Sequence, residues 1–179
     1  MAIMILPNGK EVMVDHMSVQ RQIVETTDMV KFLKGLRSDY GQTRNLYLTL
    51  LGLPRLDTVN LIKQVEKGFS FNVLVRFQRN VALPMKEIAD WVQIPQTTLN
   101  RRRAQGRLQP DESDRVLRAS RVFGRALELF EGDAGATRHW LASPQRALGG
   151  AIPMGLAKTD LGVREVEDLI ERLEHGIFS

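Results

Sequence analysis

The stretch that most constrains this chain is residues 84–106, PMKEIADWVQIPQTTLNRRRAQG. It reads as helix, tight turn, helix. Ile88, Ala89 and Val92 give the first helix an inner face, and Ile94 plugs the turn. Pro95 suits the first helical position of the second helix, whose buried anchor is Leu99. Ala89 is small where two helices must cross closely, which is the helix-turn-helix arrangement. Four residues after Ala89 a turn of this kind favours glycine, because the backbone there tends to need positive φ. This chain has Gln93, which predicts either a strained residue or a slightly different turn.

The second helix carries the chemistry. Gln96, Thr97, Asn100 and Arg101 fall on its outward side, facing a major groove. Gln and Asn side chains pair bidentately with adenine, and Arg with guanine. Arg102, Arg103 and Arg107 are expected on phosphates, which position a protein without reading sequence. The competing reading is a solvated basic helix that only packs. Charge distribution bears on this choice. The net charge is +4, but residues 76–125 hold 11 Lys/Arg against 5 Asp/Glu, while residues 126–179 hold 5 against 9. A basic middle beside an acidic end suits two partners, a polyanion for the middle and a less acidic surface for the end.

Before this motif, residues 1–14 read as a short hairpin or a loose arm, with Pro7-Asn8-Gly9 at the bend. Thr27-Asp28 is a candidate cap for a helix through Leu36. Leu46, Leu48, Leu50 and Leu51 form an apolar cluster closed by Gly52 and Pro54. Asp57-Thr58 opens a helix whose Val59, Ile62 and Val65 are expected in the core, and Phe69 or Phe71, Leu74, Val75 and Phe77 belong to another. After the motif, residues 105–112 read as a hinge, with Gly106 and Pro110. Ser113 or Asp111 then caps a helix with Val116, Ala119, Phe123, Ala126, Leu127 and Phe130 at helical spacing. Asp133 starts a short helix ending near Trp140, itself expected as a core anchor.

The last 40 residues begin with a segment punctuated by Pro144, Gly149, Gly150 and Pro153. Thr159 and Asp160 then cap one amphipathic helix, with Val163, Val166, Ile170, Leu173 and Ile177 on a single face. Its other face is acidic: Glu165, Glu167, Asp168, Glu171 and Glu174. The chain stops at Gly176-Ile177-Phe178-Ser179, and these apolar side chains need something to bury against.

Trp140-Leu141, the run from Pro144 to Gly150, Pro153 and Leu156, Thr159-Asp160-Leu161-Gly162, and Arg172 to Gly176 together resemble the toxin-binding domain of the Xre/MbcA/ParS antitoxins. The middle of the chain resembles the N-terminal half of the Xre antitoxins, a Cro-like helix-turn-helix domain. The shared signature there is Thr98-Leu99-Asn100-Arg101-Arg102 followed by Glu112-Ser113-Asp114-Arg115. The resemblance runs from about Leu46 to Ser179.

It implies an all-α chain: an N-terminal arm over residues 1–40, a helix-turn-helix domain over 41–110 and a small helical toxin-binding domain over 111–179. The implied partner is a Res-type toxin, whose family acts on NAD by depleting it or by using it to ADP-ribosylate a target. The C-terminal domain would bind that toxin and block its cleft. The helix-turn-helix domain would support oligomerisation, as a homodimer or a larger hetero-oligomer with the toxin, and bind operator DNA to repress its own operon. The residues expected on the toxin are Arg164, Glu167, Glu171, Glu174, His175, Gly176, Ile177 and Phe178. Residues 174–179 either reach the toxin's cleft, or Ile177 and Phe178 seal the domain's own core. Arg164 and Arg172 pair either with toxin carboxylates or with Glu167, Asp168 and Glu171 of their own helix.

Two other classes compete with this one. A stand-alone repressor would use the C-terminal domain only to dimerise. An enzyme acting on nucleic acid would need a catalytic cluster. His16, His139 and His175 have no metal-ligand spacing, Gly149-Gly150 lacks the surroundings of a phosphate loop, and Ser113 and Ser143 sit in no nucleophile elbow. No enzyme activity, metal or cofactor is expected. With no cysteine, no signal peptide and no apolar run near the roughly 20 residues that span a bilayer, the expected place is the cytoplasm, away from membranes.

Overall fold

The computed structural model describes residues 2–5, 11–14, 46–54 and 56–176. The chain divides between residues 41 and 42 into two units. In the first, β1 (Ala2–Ile5) and β2 (Glu11–Val14) pair antiparallel with Ala2 opposite Val14 and Ile5 opposite Glu11, the hairpin of the two alternatives. The helix expected between Thr27 and Leu36 lies outside the described residues.

The second unit is helical among its described residues, apart from one isolated bridge between Ser70 and Arg107. Its helices are α1 (Leu46–Leu51), α2 (Thr58–Glu66), α3 (Phe71–Val81), α4 (Met85–Trp91), α5 (Gln96–Gln105), α6 (Pro110–Leu129), α7 (Ala134–Ala142), α8 (Pro153–Leu156) and α9 (Asp160–Glu174). A 3-10 turn, Arg146–Leu148, joins α7 to α8. The longest helix, α6, is the spine: α1, α2, α3, α7 and α9 all pack on it. Val116, Ala119, Val122, Phe123, Ala126 and Leu127 are the apolar side chains it buries. Burying a large aliphatic or aromatic side chain contributes about 1.5–3 kcal/mol, so Val116, Val122, Phe123 and Leu127 help hold the neighbouring helices on α6.

Several expectations change. In α2 the core residue is Leu61, 7% exposed, whereas Val59 and Ile62 are 61% and 52% exposed. The helix packs on α6, with Leu61 buried and Val65 half-buried while the Val59–Ile62 side faces outward. Both Phe69 and Phe71 are buried, and Val75 is half-buried. Trp140 is also half-buried, with its ring 6.2 Å from that of Phe130.

The stretch read as a hinge is pinned. Leu108 is buried and its N–H donates to Phe69 O at 2.8 Å. The cap of α6 is neither Ser113 nor Asp111 but Gln109, whose N–H donates to Glu112 Oε2 at 2.7 Å, with Pro110 opening the helix. That capping box leaves α6 continuous from beneath α5 to the C-terminal helices.

At the C-terminal end Thr159 caps α9 as expected, its Oγ1 accepting from Gly162 N at 3.1 Å. Val163, Val166 and Ile170 are buried and Leu173 is half-buried; Leu169 joins them. Gly162 lets the start of α9 press on the end of α8, where a Cβ would overlap Leu156 O. Gly149 and Gly150 both hold left-handed backbone, φ 66° and 83°, which reverses the chain after the 3-10 turn.

Candidate functional sites

The helix-turn-helix forms as the pattern predicts, with α4 and α5 in contact and Ile94 and Leu99 fully enclosed between them. Helix α5 starts at Gln96, so Pro95 sits one place earlier than expected, at the cap. Gln93 has φ 54°, the left-handed region that a residue with a Cβ adopts only under constraint, so the turn is strained rather than rebuilt. Two bonds bracket it: Ile94 N–H donates to Ala89 O at 2.9 Å, and Arg115 Nε donates to Val92 O at 2.7 Å.

Along α5, Gln96, Thr97, Asn100 and Arg101 are all exposed. The Gln96 amide donates to Asn100 Oδ1 at 3.2 Å, so the two side chains with adenine-pairing chemistry share one face. Arg103 is exposed, with its guanidinium carbon 5.6 Å from the centre of the Phe71 ring.

Two arginines expected on phosphates have other work. Arg102 is only 8% exposed; its Nε donates to Glu112 Oε1 and Oε2 at 2.9 and 2.8 Å, and its Nη1 to Gln105 Oε1 at 2.8 Å. It points into the unit toward Glu112 at the start of α6, so it is a buried structural ion pair and not a free phosphate contact. Arg107 is exposed, but its Nη1 donates to Lys67 O at 3.1 Å and Gly68 O at 2.7 Å, closing off the end of α2. Ser113 Oγ accepts from Phe69 N at 2.8 Å and donates to Gln109 O at 2.7 Å. Within the Glu112-Ser113-Asp114-Arg115 run, Glu112 and Arg115 tie α6 to the helix-turn-helix, Ser113 ties it to Phe69 before α3, and Asp114 pairs with Arg118 one turn on. Sequence reasoning placed it as a signature without seeing what it holds.

The acidic face of α9 divides in two. Glu167 turns toward α6, with both oxygens 3.1 Å from Arg121 Nη2, and Glu174 Oε2 lies 3.2 Å from Arg125 Nη2. Arg125 also reaches Glu128 at 3.6 Å. Burial pushes the Glu128 carboxyl up to about 7, with the Glu174 charge adding to the effect and Arg125 opposing it. Arg121, Arg125, Glu128, Glu167 and Tyr47 line a cleft of about 420 Å³ between α1, α6 and α9.

Glu165, Asp168 and Glu171 stay exposed, with His175 and Gly176 following them. Arg164 pairs with Asp160 at 3.1 Å, one turn back, rather than with the acids after it. Arg172 makes no ion pair among the described residues, and its Nε is buried without a hydrogen-bond partner. Ile177 and Phe178 lie outside the residues whose side chains are described. Two exposed apolar side chains near this surface escaped the periodicity argument, Leu161 at 71% and Ile152 at 43%. Leu161 falls off the apolar stripe of α9, and Ile152 sits just before α8.

No helix among the described residues is long and apolar enough to cross a membrane, and no group of three His, Asp or Glu there is placed to hold a metal.

Comparison with known proteins bears on both surfaces. Residues 61–121 match the family model described as the antitoxin Xre-like helix-turn-helix domain, and residues 125–176 match the antitoxin Xre/MbcA/ParS C-terminal toxin-binding domain. The chain is 40% identical over 139 residues to "Antitoxin Xre" of Yersinia enterocolitica, covering 77% of this chain and 93% of that protein. It is 30% identical over 140 residues to "Antitoxin Xre" of Pseudomonas putida, covering 76% and 86%. It is 27% identical over 137 residues to the "Prs ADP-ribosylating antitoxin" of a Sphingobium species, covering 71% and 86%. With a DNA-binding helix-turn-helix and a toxin-binding domain both matched in order, the chain belongs to the Xre/MbcA/ParS family of antitoxins, neutralisers of a cognate toxin rather than enzymes.

Proposed function

We propose that this antitoxin neutralises a Res-type, NAD-consuming toxin in the cytoplasm and represses its own operon by binding operator DNA. The observation that carries the reading is the 40% identity extending over 93% of a protein named Antitoxin Xre. On the toxin side, the contact surface is the outward side of α9 and its approach: Leu161, Arg164, Glu171, His175, Gly176 and the following Ile177 and Phe178. An enzyme that binds an anionic dinucleotide needs a basic cleft, and the exposed carboxylates of Glu165, Asp168 and Glu171 are complementary to one. Glu167 and Glu174 support the contact from behind by holding α9 on α6.

On the DNA side, Gln96, Thr97, Asn100 and Arg101 face base edges, and Arg103 is the free phosphate contact. A two-fold operator calls for an antitoxin dimer. The division at residue 110 is then one of labour, with α6 serving both halves.

A second reading of the toxin has one specific support. The Sphingobium relative's name attaches ADP-ribosylation to its system. The partner would then transfer ADP-ribose to a target instead of only depleting NAD.

Co-expression with the product of the neighbouring gene tests the proposal. The full chain should restore growth, co-purify with that product and keep cellular NAD at its normal level, while truncation after Leu173 should fail to restore growth. Growth rescue without protection of NAD, together with loss of ADP-ribosylated protein, selects the second reading. Failure of the full chain to bind or rescue leaves a stand-alone repressor that uses its C-terminal domain to dimerise.

A further inference from the structure

We propose that Arg115, on α6, is a positioning residue for operator recognition: it sets the direction of the recognition helix α5 by clamping the strained turn at Gln93. The inference rests on the operator-binding reading and deepens it. The direction in which α5 leaves α4 is set by the backbone torsions of residues 92–95, among which the left-handed Gln93 makes the sharpest reversal. Val92 stands at φ −84°, ψ 8°, and Gln93 at φ 54°. Ala82 and Glu131 also take positive φ at helix ends; at Gln93 the helix-closing bonds from Gln93 N–H to Asp90 O at 3.3 Å and from Ile94 N–H to Ala89 O at 2.9 Å hold the conformation, and Arg115 adds a side-chain bond to them.

The Val92 carbonyl belongs to the last turn of α4, where carbonyls have no helical partner. Arg115 Nε supplies one at 2.7 Å, a charge-assisted bond. The guanidinium is itself braced, with Nη1 3.0 Å from Asp111 Oδ2. Its side chain is 22% exposed, and its bond to Val92 O seats it against the turn. Rotation of the 92–93 peptide would break this bond together with the one from Gln93 N–H to Asp90 O at 3.3 Å. Arg115 therefore acts through Gln93 on the side chains that meet the bases, touching no base itself.

The test uses the full chain. Wild type selects a duplex from a random-sequence library, and affinities for that duplex and for a scrambled one of the same composition are measured across a salt series. Arg115→Met should lower affinity for the selected duplex by about tenfold, as expected for one charge-assisted hydrogen bond, and leave the scrambled duplex unchanged, so the specificity ratio falls. The slope of log affinity against log salt should not move, because no phosphate contact is lost. Gln93→Gly should have little effect alone and should restore most of the ratio in the Arg115→Met chain, since glycine takes the left-handed region without steric cost. Arg115→Lys, which keeps a donor near Val92 O, should retain more of the ratio than methionine does and covers the case in which Arg115→Met does not fold.

Three results overturn the proposal. A slope reduced by about one unit makes Arg115 a phosphate contact. Equal weakening on both duplexes with a lowered Tm makes it a stability residue only. Absence of rescue by Gln93→Gly breaks the link to the turn. If wild type itself selects no duplex, the operator-binding reading fails, and this inference goes with it.

Discussion

Replacing Glu112 by alanine should destabilise this chain more than any exposed charge substitution. The Arg102 and Glu112 side chains are 10% and 5% exposed, and Arg102 Nε donates to both carboxylate oxygens within 2.9 Å. Arginine cannot shed its proton, so Glu112→Ala leaves a guanidinium charge in the interior with only Gln105 Oε1 beside it. Breaking a buried pair from one side costs about 3–5 kcal/mol. The same carboxylate accepts the Gln109 N–H in the cap of α6, and loss of a cap costs about 1 kcal/mol. At a urea slope of about 2 kcal/mol per M, a loss of about 4 kcal/mol lowers the unfolding midpoint by about 2 M. Tryptophan fluorescence reports it, since Trp91 is buried with its ring 6.2 Å from Phe77. The double variant Arg102→Met, Glu112→Met should lose less than Glu112→Ala, because no uncompensated charge remains. A Glu112→Ala loss below about 1 kcal/mol, the range of an exposed pair, would refute the account of Arg102 as a buried structural tie.

Three other outcomes follow from the geometry. Gly162→Ala must move the start of α9 away from Leu156 O and should lose about 1–3 kcal/mol in thermal or urea unfolding, with weaker toxin capture. Glu128 is raised from an ordinary 4.5 to about 7, so the folded chain holds a proton there that the unfolded chain has released; stability falls as pH climbs through this window, and Glu128→Gln should flatten that fall in a series of melts. Reversing Glu165, Asp168 and Glu171 to lysine should slow association with the toxin and invert its salt dependence in stopped-flow or biolayer kinetics, while leaving the fold unchanged because these side chains are exposed.

The helix-turn-helix was legible because its template is positional: a small residue at 89, a plug at 94 and an anchor at 99 specify two helices and the place where positive φ falls. Gln93 duly adopts it. The end of the chain was legible for a similar reason, since Thr159 and the stripe from Val163 to Ile170 are local signals. What failed depended on neighbours. Val59 and Ile62 are spaced for a helix face as well as Leu61 and Val65 are, and only the approach of α6 decides between them. Gly106 and Pro110 read as a break, because sequence does not show that Gln109 and Glu112 will cap a helix between them. The Arg101-Arg102-Arg103 run looks uniform until one residue per turn faces inward and meets an acid ten positions on. The same blindness hid the split of the α9 acids, for Glu167 and Glu174 face arginines that lie 46 and 49 residues away.

The uninterrupted α6 has a geometric consequence for any assembly. Its 20 residues extend about 30 Å, with Glu112 and Arg115 gripping the DNA-reading motif near one end and Arg121 and Arg125 gripping α9 further along. A helix transmits angle as well as distance. A cargo seated on α9 is therefore carried at a set azimuth around the double helix, and each added residue in the middle of α6 would swing it by about 100°. Two antitoxins on half-sites one helical turn apart would place their cargoes on the same side of the DNA, and an extra half turn would place them on opposite sides. The spacing of an operator would thus decide whether two bound toxins collide, stack or never meet.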